Sequence, residues 1–335
     1  MRVAISNDIS ADKWDEQVTG CGGNYFHTHA FAVYEVNKSN IAPLFISLLA
    51  KNGDVSGVAI VHIEKPKHWP FSKYCKKAIL GALPKTLISD DLLPFMRLIE
   101  DELVKLGVFS VFNHAYESRN SKDILSRLGY TLNERSEFYI SLAGNTDAVW
   151  NNFESSRRRN IRKAEKNDVV SKIEKSLTAT LQLKNLQANA LDRKDIKVAN
   201  LDSAAKAIVT DLLQPQRAWI CTSYKDGAAV SSSLISYFNG KAYYISSGSS
   251  MEGNKVCGPA HMVWCAIKQL KSMGYTEFNL GGVSMEEANE QTGLFSYKKK
   301  FGAEIVNQPS GQKILSSVGN LLNKAKGFFV TIKSN

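Results

Sequence analysis

A dense run of cations, Arg157-Arg158-Arg159-Asn160-Ile161-Arg162-Lys163-Ala164-Glu165-Lys166, follows Trp150 and Phe153. On a helix beginning near Asp147, advancing about 100° per residue, Trp150, Phe153, Ile161 and Ala164 share one narrow sector, with Arg157 in its middle. A guanidinium on an apolar face needs a partner, either a structural ion pair or an anion held in a cleft. Arginine suits the second task because its planar fork bonds phosphate or carboxylate through two N–H groups. Arg158 and Arg162 join Arg157 as candidate contacts to an anionic substrate, whereas Arg159, Lys163 and Lys166 read as a solvated face. Ser155-Ser156 could cap a new helix and shift this phase. A second basic focus is Tyr297-Lys298-Lys299-Lys300. A fixed cation stabilises a developing oxyanion electrostatically, so a lysine there needs no covalent role. His27 and His29 could serve as general bases or as hydrogen-bonded structural histidines. The six histidines show no HxxxH or HExxH spacing, and neither a GxSxG elbow nor a P-loop occurs, so no metal or nucleophile-elbow chemistry is expected.

The elements that must position these groups come in two similar sets. Leu44 to Leu49, a turn at Asn52-Gly53, and Val55 to Ile63 read as a hairpin. The second half repeats the pattern with Ala218 to Tyr224, Asp226-Gly227, Val230 to Tyr237, Asn239-Gly240, and Ala242 to Ser246. Each meander leads to an apolar-striped helix, a glycine stop and another strand. The first has Leu92 to Leu106, Gly107 and Val108 to Phe112. The second has Pro259 opening a helix striped by Ala260, Val263, Trp264, Ile267 and Leu270, then Gly274 and Glu277 to Leu280. Two copies of one α/β (α+β) unit explain this better than a single large domain.

Three segments in order resemble the FemABX family of the GNAT superfamily and its acetyltransferase-like relatives. They are the Trp150-to-Lys166 stretch, Phe278-Asn279-Leu280-Gly281-Gly282, and Gly293-Leu294-Phe295-Ser296-Tyr297-Lys298-Lys299-Lys300-Phe301-Gly302. A shorter echo is Phe26-His27-Thr28-His29-Ala30-Phe31. The resemblance implies two tandem GNAT-like domains, each a mixed, mostly antiparallel sheet flanked by helices, over about residues 1–145 and 146–308, followed by a tail at 309–335. It implies an acyl- or aminoacyltransferase, with Lys298 as the catalytic residue. Arg157, Tyr297, Arg158, Arg162, His29, Asn279 and Ser247 would contact substrate. Ser247 opens the loop from Ser247 to Pro259, where GNAT enzymes present a helix N-terminus to the pyrophosphate of coenzyme A. The loop lacks the usual Q/R-x-x-G-x-G/A string. Asn279 replaces the family's usual Asp, and Tyr297 its usual Phe. Val33-Tyr34-Glu35-Val36 stands where tRNA-dependent members carry a lysine. No heptad arm is inserted between Asn167 and Ala218. No permanent cofactor is expected. The co-substrate is aminoacyl-tRNA or acyl-CoA, and the acceptor an amine or hydroxyl of an anionic envelope precursor, a nucleotide- or lipid-linked sugar or peptide. The alternatives are an acyl-CoA-dependent N- or O-acyltransferase of polysaccharide or lipopolysaccharide assembly, and a non-catalytic RNA- or membrane-binding protein on the same scaffold.

The bulk properties fit this frame. The chain has 335 residues, 44% hydrophobic and 22% charged, with a formal net charge of +10 that favours an anionic partner. Five scattered cysteines without a CxxC pair, and a first stretch lacking the apolar core of a secretion signal, lead us to expect a cytoplasmic protein. Beyond Gly311, the apolar residues Ile314, Val318, Leu321, Leu322, Ala325, Phe328, Phe329 and Ile332 gather on one helical side with lysines off it. Such a basic amphipathic segment, residues 312–335, docks either on a membrane surface or on its own protein.

Overall fold

Asp226, Gly227, Asn239 and Gly240 take φ of 49°, 80°, 48° and 76°. Two successive positive φ values define the type I′ turn, whose twist matches the strands it joins. These turns link Ala218–Lys225, Ala228–Phe238 and Lys241–Ser249 into an antiparallel meander. The computed structural model describes residues 1–38, 41–69, 71–192 and 200–333. At Asn52-Gly53 the geometry differs from the expected two-residue turn. The loop is longer, with Ala50 N–H donating to the Asp54 carbonyl and a register shift at Leu48/Leu49.

The chain divides into two compact units, residues 1–135 with 307–335, and residues 136–306. The first unit's sheet runs Arg2–Ser6, Ile41–Leu49, Val55–Glu64, Lys76–Leu80, Val108–Asn113, Ser310–Ile314 and Thr131–Asn133, with Lys85–Thr86 paired beside Val55–Glu64. Its core gathers Ile46, Leu48, Val61, Leu80 and Val111 from the strands against Phe95, Met96, Ile99 and Leu103 of the Leu92–Lys105 helix. The second sheet runs Glu304–Asn307, Arg135–Ser141, Glu277–Ser284, Lys241–Ser249, Ala228–Phe238, Ala218–Lys225 and Val170–Glu174. Its core holds Phe138, Trp219, Ile235 and Phe278 against Val263, Trp264 and Ile267 of the Gly258–Ser272 helix.

These units differ from the segments 1–145, 146–308 and 309–335 at both joints. Strand Arg135–Ser141 pairs in the second sheet. The expected tail begins as a strand, because Ser310–Ile314 lies between Val108–Asn113 and Thr131–Asn133 and bonds to both. Only from Ser317 does the chain turn helical, to Lys333. Residues 193–199, within the stretch expected to lack a heptad arm, lie outside the described residues. No helix among the described residues is long and apolar enough to cross a membrane.

One contrast between the sheets matters for the site. Each contains a parallel strand pair. In the first unit Lys76–Leu80 pairs with Val108–Asn113 to its end, and the ladder extends as His114 and Tyr116 N–H donate to the Leu80 and Gly81 carbonyls. In the second unit Lys241, Ala242 and Tyr243 pair with Glu277, Phe278 and Asn279, and there the ladder stops although both strands continue, to Ser249 and Ser284. The strands therefore splay beyond Tyr243 and Asn279.

Candidate active site

At the mouth of that splay lies a buried polar cluster that breaks the apolar pattern of its strands. Glu137 is fully buried on Arg135–Ser141. Its Oε2 accepts hydrogen bonds from the Tyr139 hydroxyl at 2.9 Å and from Asn279 Nδ2 at 2.8 Å, and its Oε1 accepts from the Tyr243 hydroxyl at 3.2 Å. A carboxylate tolerates such burial only when its lone pairs are met in this way. Asn279, also fully buried, uses its Oδ1 to accept from Gly281 N–H at 2.8 Å, so its amide is held at both ends. Gly281 takes φ +74°, and a Cβ there would meet the Tyr243 hydroxyl at 3.4 Å and Lys298 Nζ at 3.7 Å. Those are ordinary contacts, so it is the left-handed backbone that accounts for glycine.

Lys298 enters the same cluster from the Gly293–Lys299 helix, whose first turn is capped by Thr292. It is 8% exposed, and its Nζ donates to the Gly282 carbonyl at 2.8 Å and sits 5.7 Å over the Phe138 ring. Gly282 belongs to the strand edge freed by the splay. The lysine thus satisfies a carbonyl at an edge where the ladder has ended.

Arg157 and Tyr297 form the wall beside it. The helix expected from Asp147 breaks in two, Thr146–Asn152 and Ser155–Lys166, with Phe153 extended between them. The apolar sector survives the break: Phe153, Arg157, Ile161 and Ala164 are buried and Trp150 is half-buried. Arg157 is 3% exposed. Its Nη2 donates to the Tyr297 carbonyl at 2.6 Å, and its guanidinium lies 4.4 Å from the Tyr297 ring and 4.2 Å from the Phe301 ring. Its Nε is buried without a hydrogen-bond partner among the described residues. Burial lowers the Arg157 pKa, with Tyr297 opposing. Burial likewise pushes the Tyr297 phenol up to about 12, against the pull of Arg157, and its hydroxyl donates to the Pro259 carbonyl at 3.0 Å. Tyr297 therefore stays protonated, with its proton committed to a carbonyl.

The remaining candidates are placed less centrally. Arg158 Nη1 donates to the Asn151 carbonyl at 3.0 Å and to that of Phe153, closing the end of the preceding helix. Arg162 is exposed, 5.7 Å over the Trp150 ring. Ser247 is exposed on Lys241–Ser249 beyond the last pair with Glu277–Ser284, opposite Ser233 of the neighbouring strand. His29 belongs to the first unit, where its ring stacks on Phe45 at 5.4 Å and its backbone N–H donates to Asp15 Oδ1 at 2.8 Å. His27, with Nδ1 on Asn24 at 2.8 Å and Nε2 on Leu83 at 2.8 Å, has both ring nitrogens engaged. The geometry gathers Lys298 and Asn279 into one cluster and pairs Arg157 with Tyr297, and to the first it adds Glu137, Tyr139 and Tyr243, which sequence reasoning missed. Their one signal was a carboxylate embedded in the strand-like run Ser136-Glu137-Phe138-Tyr139-Ile140. No group of three metal-ligating side chains occurs among the described residues.

Comparison with known proteins bears on the fold and on residues 170–311. None of the curated proteins matches the sequence. The crystal structure of FemX superposes with a TM-score of 0.75 at 16% identity, covering 97% of this chain and 99% of that one. The structure of L-PGS from Bacillus licheniformis superposes with a TM-score of 0.57 at 14% identity, covering 90% and 91%. A tandem GNAT protein from the clavulanic acid biosynthesis pathway gives 0.54 at 10% identity, covering 94% and 99%. Residues 170–311 match the FemAB family, a span that includes Asn279, Tyr297 and Lys298 and begins after Arg157. Residues 170–311 thus resemble the FemAB family, and the chain shares its fold with the FemX structure and with the tandem GNAT protein.

Proposed function

We propose that the chain is an acyl- or aminoacyltransferase that moves its group from an activated donor to an amine or hydroxyl of an anionic cell-envelope precursor. The observation that carries this reading is the Lys298–Glu137–Asn279 cluster at the splay, inside or beside the FemAB-matching segment. The acceptor's amine or hydroxyl attacks the donor carbonyl carbon, the new C–N or C–O bond forms, and the ester or thioester bond breaks. Lys298 Nζ is the cation that meets the oxyanion of the tetrahedral intermediate, and Glu137 holds the surrounding donors in place. Tyr297 is a poor base with its phenol near 12. The proton leaving the acceptor therefore passes to the departing alkoxide or thiolate or to water.

For the donor, aminoacyl-tRNA is supported by the likeness to FemX and L-PGS. A coenzyme A thioester is favoured by one specific feature. The edges of Tyr244–Ser249 and Leu280–Ser284 beyond the ladder can bond an amide-bearing arm as a third strand would. Thermal unfolding with acetyl-CoA and, separately, with aminoacylated tRNA tests this. A raised midpoint with one donor, followed by its labelled group appearing on an anionic acceptor, supports the reading. Protection by neither donor would sink it.

A further inference from the structure

The first turns of the C-terminal helix leave two apolar side chains, Val318 and Leu321, in water, while Leu322 and Ala325 are half-buried. Helix Ser317–Lys333 packs against the Phe71–Tyr74 helix and strand Val108–Asn113, all within the first unit. The contact is made through Gly319, which is buried. A Cβ there would lie 2.4 Å from both Phe109 Cβ and the Tyr74 carbonyl, and the Cys75 thiol donates to the Gly319 carbonyl at 3.5 Å. Seating the helix on its smallest residue turns Val318 and Leu321 outward, 65% and 71% exposed. In the Phe71–Tyr74 helix that it touches, Tyr74 is 40% exposed, and in the segment leading into that helix Trp69 is 78% exposed. Isolated exposed apolar residues are ordinary, but two touching elements that both turn large ones outward form a patch.

Within these two segments the formal charge has one sign, with the exposed Glu64 standing opposite Lys77 in the sheet. Residues 65–77 contain Lys65, Lys67, Lys73, Lys76 and Lys77 and no Asp or Glu; residues 309–335 contain Lys313, Lys324, Lys326 and Lys333 and again no Asp or Glu. Lys313 pairs with Glu100 and Lys76 bonds the Leu106 carbonyl, while Lys65, Lys67, Lys73, Lys77 and Lys324 are exposed. We propose that this face docks on the surface of an anionic phospholipid bilayer, with Trp69, Val318 and Leu321 entering the headgroup–acyl boundary and the lysines meeting lipid phosphates. A tryptophan at the interface, aliphatic side chains beneath and a lysine fringe are the chemistry of a peripheral membrane anchor. A nucleic acid would engage the lysines but leave Val318 and Leu321 in water. The inference does not rest on the transferase reading, since the patch lies in the first unit and its test needs no turnover.

The test is vesicle flotation of the full chain with phosphatidylcholine alone and with phosphatidylcholine containing phosphatidylglycerol, alongside titration with an RNA oligonucleotide. The chain is expected to float with the anionic vesicles and not with the neutral ones. Trp69→Ser combined with Leu321→Ser removes two anchors and is expected to lower partitioning by at least about tenfold. Lys65→Gln and Lys67→Gln should each lower it by about fivefold. All four side chains are exposed, so the thermal midpoint should stay unchanged and separate lost docking from lost folding. Failure of the chain to float, anionic-vesicle binding indifferent to the Trp69/Leu321 pair, or tight RNA binding in its place overturns the proposal.

Discussion

Lys298 is held by a carbonyl and backed by a buried carboxylate network, so its substitution separates positive charge from packing. Lys298→Met, which keeps the length and loses the charge, is expected to lower kcat by about 10²–10³ with little change in KM, the size of losing one oxyanion partner. Steady-state kinetics with the donor that protects the chain thermally would show this; a change confined to KM would assign the lysine to binding. The departure from the family at Asn279 also has a physical explanation. An Asp there would bring a second carboxylate against Glu137, where Asn279 Nδ2 now donates at 2.8 Å. Neither partner was legible alone, because a strand position says nothing about which distant side chain will face it. Burial gives a pH prediction in the first unit. Desolvation, reinforced by Lys85, lowers His27 from 6.5 to about 3. The unfolded chain therefore binds a proton that the folded chain refuses between those values. Stability is full above about pH 6.5 and falls as pH drops toward 3, by at most about 1.4 kcal/mol per unit. Burial lowers His62 and His261 in the same direction. Urea midpoints of wild type and His27→Gln at pH 7.5 and 5.5 should show a smaller acid loss in the variant.

At the scale of elements, the Phe301-Gly302 pair shows why a sequence motif persists in shape. Phe301 is fully buried between Phe153 and Arg157, and Glu154 N–H donates to the Lys300 carbonyl at 3.1 Å. Gly302 has φ +67°, and a Cβ there would stand 2.2 Å from the Asn152 carbonyl oxygen. The end of the lysine-bearing helix is thereby clamped to the break between the two arginine-side helices. Gly302→Ala is expected to cost about 2–4 kcal/mol and to lower activity in the surviving folded fraction by shifting Lys298. Calorimetric melting with activity at a fixed folded fraction checks both; an unchanged midpoint would break the argument. Hairpins, helices and glycine stops were readable because their periodicity and turn residues are local signals. The splay was not, since it depends on where a ladder between strands from Lys241 and Glu277 ends. The break at Phe153 was foreshadowed by Ser155-Ser156, yet the cap came from Glu154 without a side-chain bond.

The chain closes its first unit last. Strand Ser310–Ile314 inserts between Val108–Asn113 and Thr131–Asn133 after the whole second unit has been made. A meander-helix-strand repeat reads as two units in sequence, but this return escapes that reading because Ser310 to Ile314 is short, polar and flanked by a helical pattern. The topology sets a sharp boundary for truncation. Ending the chain at residue 308 removes the inserted strand and leaves the facing edges of Val108–Asn113 and Thr131–Asn133 unpaired, an aggregation-prone opening in mid-sheet. Ending it at 316 keeps every pair of that ladder and removes only the helix seated on Gly319. Residues 1–316 are therefore expected to remain soluble with a native near-ultraviolet dichroism spectrum, and residues 1–308 to aggregate or lose that signal. Equal behaviour of the two truncations would show that the strand contributes nothing to the first unit. Since 1–316 lacks Val318, Leu321 and the helix's lysines but retains Trp69 and the lysines of residues 65–77, its partitioning onto anionic vesicles should fall well below that of the full chain, and Trp69→Ser placed in 1–316 should lower it further. That ordering follows only if both segments of the patch meet the membrane together.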